Sequence, residues 1–326
     1  MAQTTSVSVI LPVYNHADLL PRALAALAAQ TRMPDEIIVI DDASSDRSYE
    51  VAKDFAGRFA PSARYEVLRN ETNLGVNRTL NRGLEISTGD YVACTGADDW
   101  VRPRFIEVMS AAARQFPEAS IITSQYTEYF EAEDRLVEHA SDSELGLWFV
   151  ADDSARFVSP AEFAALLRRA HIALHFNASV IRADVLRRTG CFDPALRWHA
   201  DWFAIYAIAL RHGFAVVPEP LAVFRVASGT YSAHGVHNRK QQRKVCHAVC
   251  DKLAHPHWTD IRAKLKATPS PFSPLVRGLV PALVNRPRDW DLLLQVALWW
   301  SNEARKGRRP ALLRSLARRL GFDIRP

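Results

Sequence analysis

The first hundred residues alternate between two hydrophobic rhythms. SVSVILPVY (6–14) is rich in β-branched residues, contains Pro12 near its end, and reads as a buried strand. From Asp18 to Gln30 the apolar positions recur at helical spacing, with Pro21 early enough to sit in a first turn. DEIIVIDDASSD (35–46) is a second strand running into an acidic, Ser-rich loop, and SYEVAKDFAGRF (48–59) is helical. RYEVLRN (64–70) is a third strand. NLGVNRTLNRGLEIST (73–88) is a loop entering a helix closed by Gly89, and DYVACTG (90–96) is a fourth strand. Strands alternating this closely with helices predict an α/β fold, a mostly parallel Rossmann-like sheet built of right-handed crossovers.

Downstream, RPRFIEVMSAAARQF (102–116) predicts a helix and SIITSQYTEYF (120–130) a strand. An acidic stretch then runs to Asp153, followed by the helix SPAEFAALLRRA (159–170). Residues 175–226 hold a strand, a helix, a turn, a long amphipathic helix and a last strand. After Ala227 the pattern is helical and interrupted by prolines, with Trp at 290, 299 and 300.

In parallel sheets, ligands sit at the carboxyl ends of the strands. Three polar clusters fall there: Tyr14-Asn15-His16, Asp41-Asp42 and Asp98-Asp99. Any one acidic pair is also explained as a turn that bonds its own backbone. Three clusters at one sheet edge favour a ligand site.

Composition narrows the class. The chain has 326 residues, 48% of them hydrophobic, enough for a large core and more than one domain. No apolar run approaches the ~20 residues that span a bilayer. The N-terminal MAQTTSVSVI has no basic segment before its strand, so no signal peptide is expected. Cys94, Cys191, Cys246 and Cys250 form no CxxC pair, which fits a reduced cytoplasm. The formal net charge is +5 and uneven. Residues 301–326 carry Arg or Lys at 305, 306, 308, 309, 314, 318, 319 and 325 against Glu303 and Asp323. Such a segment is either a solvated helix face or a basic amphipathic tail resting on an anionic membrane at the inner face. Nucleic acid is not the expected partner, because no recognition motif accompanies the charge.

Taken in order, these stretches resemble the family 2 inverting glycosyltransferases with the glycosyltransferase-A fold, over roughly residues 5–226. SVSVILPVYNHADLLPRALAALAAQT resembles the family's opening strand and helix, and DEIIVIDDASSDRS its strand and acidic loop. NLGVNRTLNRGLEISTGDYVACTGADDW resembles the run into its metal motif, and GCFDPALRWHADWFAIYAIALRHGFAVVPEPLAVFRV its acceptor-side segment. The resemblance implies a catalytic domain over 1–235, with a donor-binding half to about residue 110 and an acceptor-binding half over 111–235. A basic helical C-terminal region (236–326) follows. The implied reaction moves a sugar from a nucleotide-sugar donor to an acceptor hydroxyl. The expected acceptor is a glycan or lipid-linked molecule of bacterial surface-glycan synthesis.

Each role implied by the resemblance has a chemical rationale. The leaving nucleoside diphosphate is anionic, and Mn²⁺ or Mg²⁺ can neutralise it through a short acidic motif. Where the family carries Asp-x-Asp, this chain has Gly96-Ala97-Asp98, so Asp98 is the expected metal ligand with Asp99 beside it or on the donor. Pro12, Val13 and Tyr14 are expected to line the base and ribose pocket. Asp42 would accept from a pyrimidine N–H, which favours UDP- or dTDP-sugars. Asn73 and Gly75 form a tight loop. The family's phosphate-facing Arg is Leu80 here, leaving Arg78 or Arg82 to supply the charge. The general base falls on Asp201, preceded by Ala200 where the family has Glu, with His199 as the alternative. Trp198 and Trp202 are sugar platforms or core residues. Asn177 and Ser179 would meet the acceptor. The family's loop His is Ala227 here, leaving His234 or His237 to replace it. Two other readings compete. A phosphosugar-handling enzyme would want a basic Gly loop after the first strand, which LPVYNHAD lacks. A non-catalytic nucleotide-sugar binder is the reading that Gly96, Ala200 and Ala227 encourage.

Overall fold

The computed structural model describes residues 5–59, 62–138, 154–169, 172–227, 231, 235–236 and 238–305. It divides into two compact units, one of residues 1–166 and 172–233, the other of 167–171 and 234–326.

The first unit is built on one sheet. Its strands are β1 (Val7–Val13), β2 (Glu36–Asp41), β3 (Arg64–Arg69), β4 (Tyr91–Cys94), β5 (Trp100–Val101), β6 (Ile121–Phe130), β7 (Arg135–Glu138), β8 (Arg156–Val158), β9 (Ser179–Arg182) and β10 (Phe214–Val226). The order is β3-β2-β1-β4-β9-β6-β10-β5, with β7 on β6 and β8 on β10. β3, β2, β1 and β4 are mutually parallel, as the strand-helix alternation predicts. The inserted β9 is antiparallel to both β4 and β6, and β10 is parallel to β6. Two reversals restore the direction, so β6 and β10 end on the same edge as the first four strands.

Burial explains the sequence rhythms. Every residue of β2 (EIIVID) is buried, because helices cover both sheet faces. Helix α1 (Leu20–Ala28) buries Leu20, Ala23, Leu24 and Leu27, the i, i+3, i+4, i+7 stripe, and Pro21 lies in its first turn. Helices α2 (Ser48–Asp54), α3 (Val76–Ile86), α4 (Phe105–Gln115), α5 (Pro160–Arg169) and α6 (Ala183–Arg188) complete the crossovers and their flanks. Helix α7 (Ala200–His212) is buried from Phe203 to Leu210 without interruption. The amphipathic pattern expected for α7 gives way to a helix enclosed on all sides, as its apolar run FAIYAIAL requires.

The second unit is helical. Helices Arg239–Ala254, Thr259–Ala267, Val276–Val284 and Trp290–Arg305 surround Cys246, Val249, Ile261, Leu279, Leu283 and Val296. Asp289, 1% exposed, is paired with Arg262 at 2.8 Å and Arg286 at 2.6 Å. Among the described residues, no helix is long and apolar enough to cross a membrane.

Candidate active site

The ends of β1, β2, β4 and β10, the loop before α3 and the start of α7 enclose a cavity of about 760 Å³. Pro12, Val13, Tyr14, Asp42, Asn73, Gly75, Asp98 and Asp201 all line it.

The two acids after β2 have separate tasks. Asp41 is fully buried, paired with Arg69 at 3.1 Å, and accepts from the Ser44 amide at 3.2 Å; it holds the loop and does not line the cavity. Asp42 does line it. The Asp42 amide donates to the Val13 carbonyl at 2.8 Å, tying β2 to β1 at their ends. One Asp42 carboxylate oxygen accepts from the Asn70 amide (2.7 Å) and the Leu74 N–H (2.8 Å), the other from the Gly75 N–H (2.8 Å). A carboxylate offers about four lone-pair directions, so three protein donors leave room for one from a ligand. Gly75 turns at φ 84°, a left-handed conformation that suits glycine, and α3 starts immediately after it.

The acids after β4 are also divided. Asp98 faces the cavity with its side chain 22% exposed. Asp99 turns inward: it is 4% exposed and absent from the cavity wall. Its carboxylate accepts from the Asn177 amide and from the Arg225 N–H at 2.9 Å, joining the loop to β10 and to the segment before β9. Burial, and then the charge of Asp98 beside it, push the Asp99 carboxyl well above the ordinary carboxylate range. Arg225 borders Asp98 at 3.7 Å and is tied to Glu131. The Arg22 guanidinium lies 3.8 Å over the Trp100 ring and donates to the Asp98 carbonyl at 3.4 Å.

Asp201 stands in the first turn of α7, where the helix N-terminus favours negative charge. It lines the cavity and is solvent-exposed there. Desolvation by the protein around it raises its pKa, limited by its opening to solvent and opposed by backbone amides, including the Trp202 N–H at 2.7 Å.

Other expected residues are distributed unevenly. Trp198 and Asn177 line the cavity. His199 is buried outside the wall, and Trp202 packs against Tyr206 and Phe203. Ser179 is buried and donates to the His175 carbonyl at 2.7 Å. Arg78 lines a smaller adjoining cavity of about 370 Å³ and not the main one. Arg82 donates to the Arg69 carbonyl and to Asn70, bracing the loop that Asp42 holds. His234 and His237 lie outside the described residues. Sequence reasoning overlooked Asn77, Arg197 and Tyr231 on the cavity wall, and Arg22, which holds the Asp98 carbonyl. A cavity-facing Arg has no local signal that separates it from a solvated one. Cys94 also borders the cavity; it is buried, and burial raises its thiol pKa.

Comparison with known proteins places this geometry in context. The model of the family described as Glycosyl transferase family 2 matches residues 8–182. Glycosyltransferase YibD of Escherichia coli is 40% identical over 113 residues, 35% of this chain and 32% of YibD. Rv1520 of Mycobacterium tuberculosis is 29% identical over 233 residues, 70% of this chain and 60% of that protein. The chain therefore spans about a third of YibD and three fifths of Rv1520. Among solved structures, S. aureus TarS 1–349 in complex with UDP-GlcNAc has a TM-score of 0.61 at 15% identity, covering 90% of this chain and 79% of that one. The mannosyltransferase PcManGT of Pyrobaculum calidifontis, in complex with GDP-Man and Mn²⁺, has a TM-score of 0.52 at 19% identity, covering 97% and 81%. At these identities the structures establish a shared fold.

Proposed function

The chain belongs to glycosyl transferase family 2, and from that premise we propose that it transfers a sugar from a UDP- or dTDP-sugar to an acceptor hydroxyl, inverting the anomeric carbon. The observation that carries this reading is one cavity bordered by Asp42, Asp98 and Asp201, from separate elements.

Asp42 receives the pyrimidine N–H in its remaining acceptor direction, with Pro12, Val13 and Tyr14 along the base and ribose. Asn73 and Gly75 shape that wall. Among the described residues no group of three His, Cys, Asp or Glu side chains converges on a metal position. The site fits an ion that is shared with the donor: Mg²⁺ commonly takes one or two carboxylates together with phosphates and water. Asp98 would hold Mn²⁺ or Mg²⁺, with Asp99 fixing the loop behind it. When bound, the ion neutralises charge growing on the leaving diphosphate. Arg225, 13% exposed on the same wall, adds positive charge there. Asp201 takes the acceptor hydroxyl's proton as that oxygen attacks; its raised pKa makes it a stronger base than an ordinary carboxylate. Trp198 offers a face for a sugar ring.

The acceptor in this reading is a glycan or lipid-linked molecule in cell-surface polysaccharide or glycolipid synthesis, met at the inner membrane face. Two features support the membrane contact. Residues 301–326 are strongly basic. Just before them, Trp290, Leu294 and Leu298 are 55%, 56% and 56% exposed at i, i+4, i+8 on one helix face.

A thermal-shift screen of UDP-, dTDP- and GDP-sugars with and without Mn²⁺ tests the donor assignment. A pyrimidine donor should stabilise the wild type in an Mn²⁺-dependent way, and Asp42→Ala should abolish the shift. Stabilisation by GDP-sugars alone would reject the Asp42 assignment.

A further inference from the structure

Helix α3 links the donor loop to the segment that carries the base. It starts at the Gly75 amide held by Asp42 and presents two asparagines one turn apart. Asn81 brackets Phe192: its amide donates to the Phe192 carbonyl at 2.9 Å, and its carbonyl accepts the Phe192 N–H at 2.9 Å. Asn77, 8% exposed, donates from its amide nitrogen to the Arg197 carbonyl at 2.8 Å, across 120 residues of sequence. A carbonyl oxygen only accepts, so the Asn77 nitrogen must face it.

Arg197 holds an unusual backbone. Its φ of 48° and ψ of −119° interrupt the helical turn Pro194–His199 just before α7. This conformation suits glycine and is strained for any residue with a Cβ. Cys191, at the other end of the bracketed segment, also has positive φ (57°). Two strained residues therefore flank a segment fastened by two asparagines of α3. Four residues after Arg197 comes Asp201.

We infer that Asn77 is a positioning residue. By holding the Arg197 carbonyl it maintains the strained turn that aims Asp201 into the cavity, and so couples the donor loop to the base. This inference rests on Asp201 being the base.

A double-mutant cycle tests it. Asn77→Ala should lower kcat by about tenfold or more, the scale on which a strained residue loses its support. Donor KM should stay within about twofold, because the change falls on the base and not on donor binding. Arg197→Gly relieves the strain, so in that background the further loss from Asn77→Ala should be small. Should Arg197→Gly fail to fold, Arg197→Asn, which tolerates positive φ, serves as the relaxed background. An equal kcat loss in both backgrounds, or a loss expressed only in donor KM, would overturn the inference. Failure of the base assignment is separately visible: Asp201→Asn would then turn over like wild type, whatever the cycle shows.

Discussion

A side chain at position 96 would crowd the Asp98 carboxylate. A Cβ on Gly96 would lie 2.7 Å from an Asp98 carboxylate oxygen and 3.2 Å from one of Asp99. The loss of the family's first acid is thus matched by a loop closed around the remaining two. The atoms met are side-chain ends, so the fold can yield, but Asp98 must turn. Gly96→Ala is expected to leave the melting temperature almost unchanged while weakening Mn²⁺-dependent donor binding by about tenfold, the scale of one misplaced charged contact. A melting temperature that falls with no change in donor binding would contradict this. Away from the cavity, Glu36 is 4% exposed and accepts hydrogen bonds from Thr88, Ser8 and Arg64. Burial alone would raise its pKa; those hydrogen bonds outweigh burial and bring it from 4.5 to about 2. A carboxyl whose folded pKa is depressed stabilises the fold above its unfolded pKa and loses that contribution as pH falls toward the folded one. The melting-temperature gap between wild type and Glu36→Gln should therefore be widest above pH 4.5 and close toward pH 2. A gap independent of pH would reject this role. Asp42, Asp98 and Asp201 were legible as residues because each follows a strand or opens a helix. Whether Asp99 faced the cavity or the interior depended on Asn177 and Arg225, 78 and 126 residues away, which no local pattern encodes.

Elements were readable where their rhythm was long. β1, β2 and β4 follow from apolar runs and α1 from a helical stripe, while the half-buried β3 (RYEVLR) shows a mixed polar and apolar pattern. β5, β7 and β8 span two to four residues, too short for a period to show. The antiparallel insertion of β9 depends on long-range pairing. β10 was legible as a strand. Its register shifts beside Pro218 and Pro220 follow from residues that cannot donate to the ladder. Packing of α3 on the sheet gives an element-level test. A Cβ on Gly83 would lie 2.4 Å from Ile10 Cγ2, a branch held close to its own backbone. Gly83→Ala should destabilise the protein by about 1–3 kcal/mol, the usual cost of overpacking, measured by urea unfolding. Unchanged stability would show that α3 can move off β1, and the coupling through Asn77 and Asn81 would then lose its rigid support.

At the scale of the molecule, two units divide the labour proposed here. The first contains every residue assigned to donor, metal and base. The second offers the Trp290-Leu294-Leu298 face and leads into the basic segment. Replacing those three residues with Ser should cut sedimentation with phosphatidylglycerol vesicles by about tenfold or more, since burying even one large apolar side chain is worth ~1.5–3 kcal/mol. Binding to neutral phosphatidylcholine vesicles should be weak in both proteins, and donor turnover should be unchanged. Equal sedimentation of the variant and wild type would remove this face from the membrane contact. The central claim is that Asp201 is the base of a sugar transfer in the cavity that Asp42 and Asp98 share. Its most direct test is single-turnover release of nucleoside diphosphate from a bound donor with water as the acceptor hydroxyl, wild type against Asp201→Asn, with donor affinity measured on both. The account predicts a loss of about 10²–10⁴ in rate at nearly unchanged donor affinity; an Asp201→Asn protein as fast as wild type would contradict it.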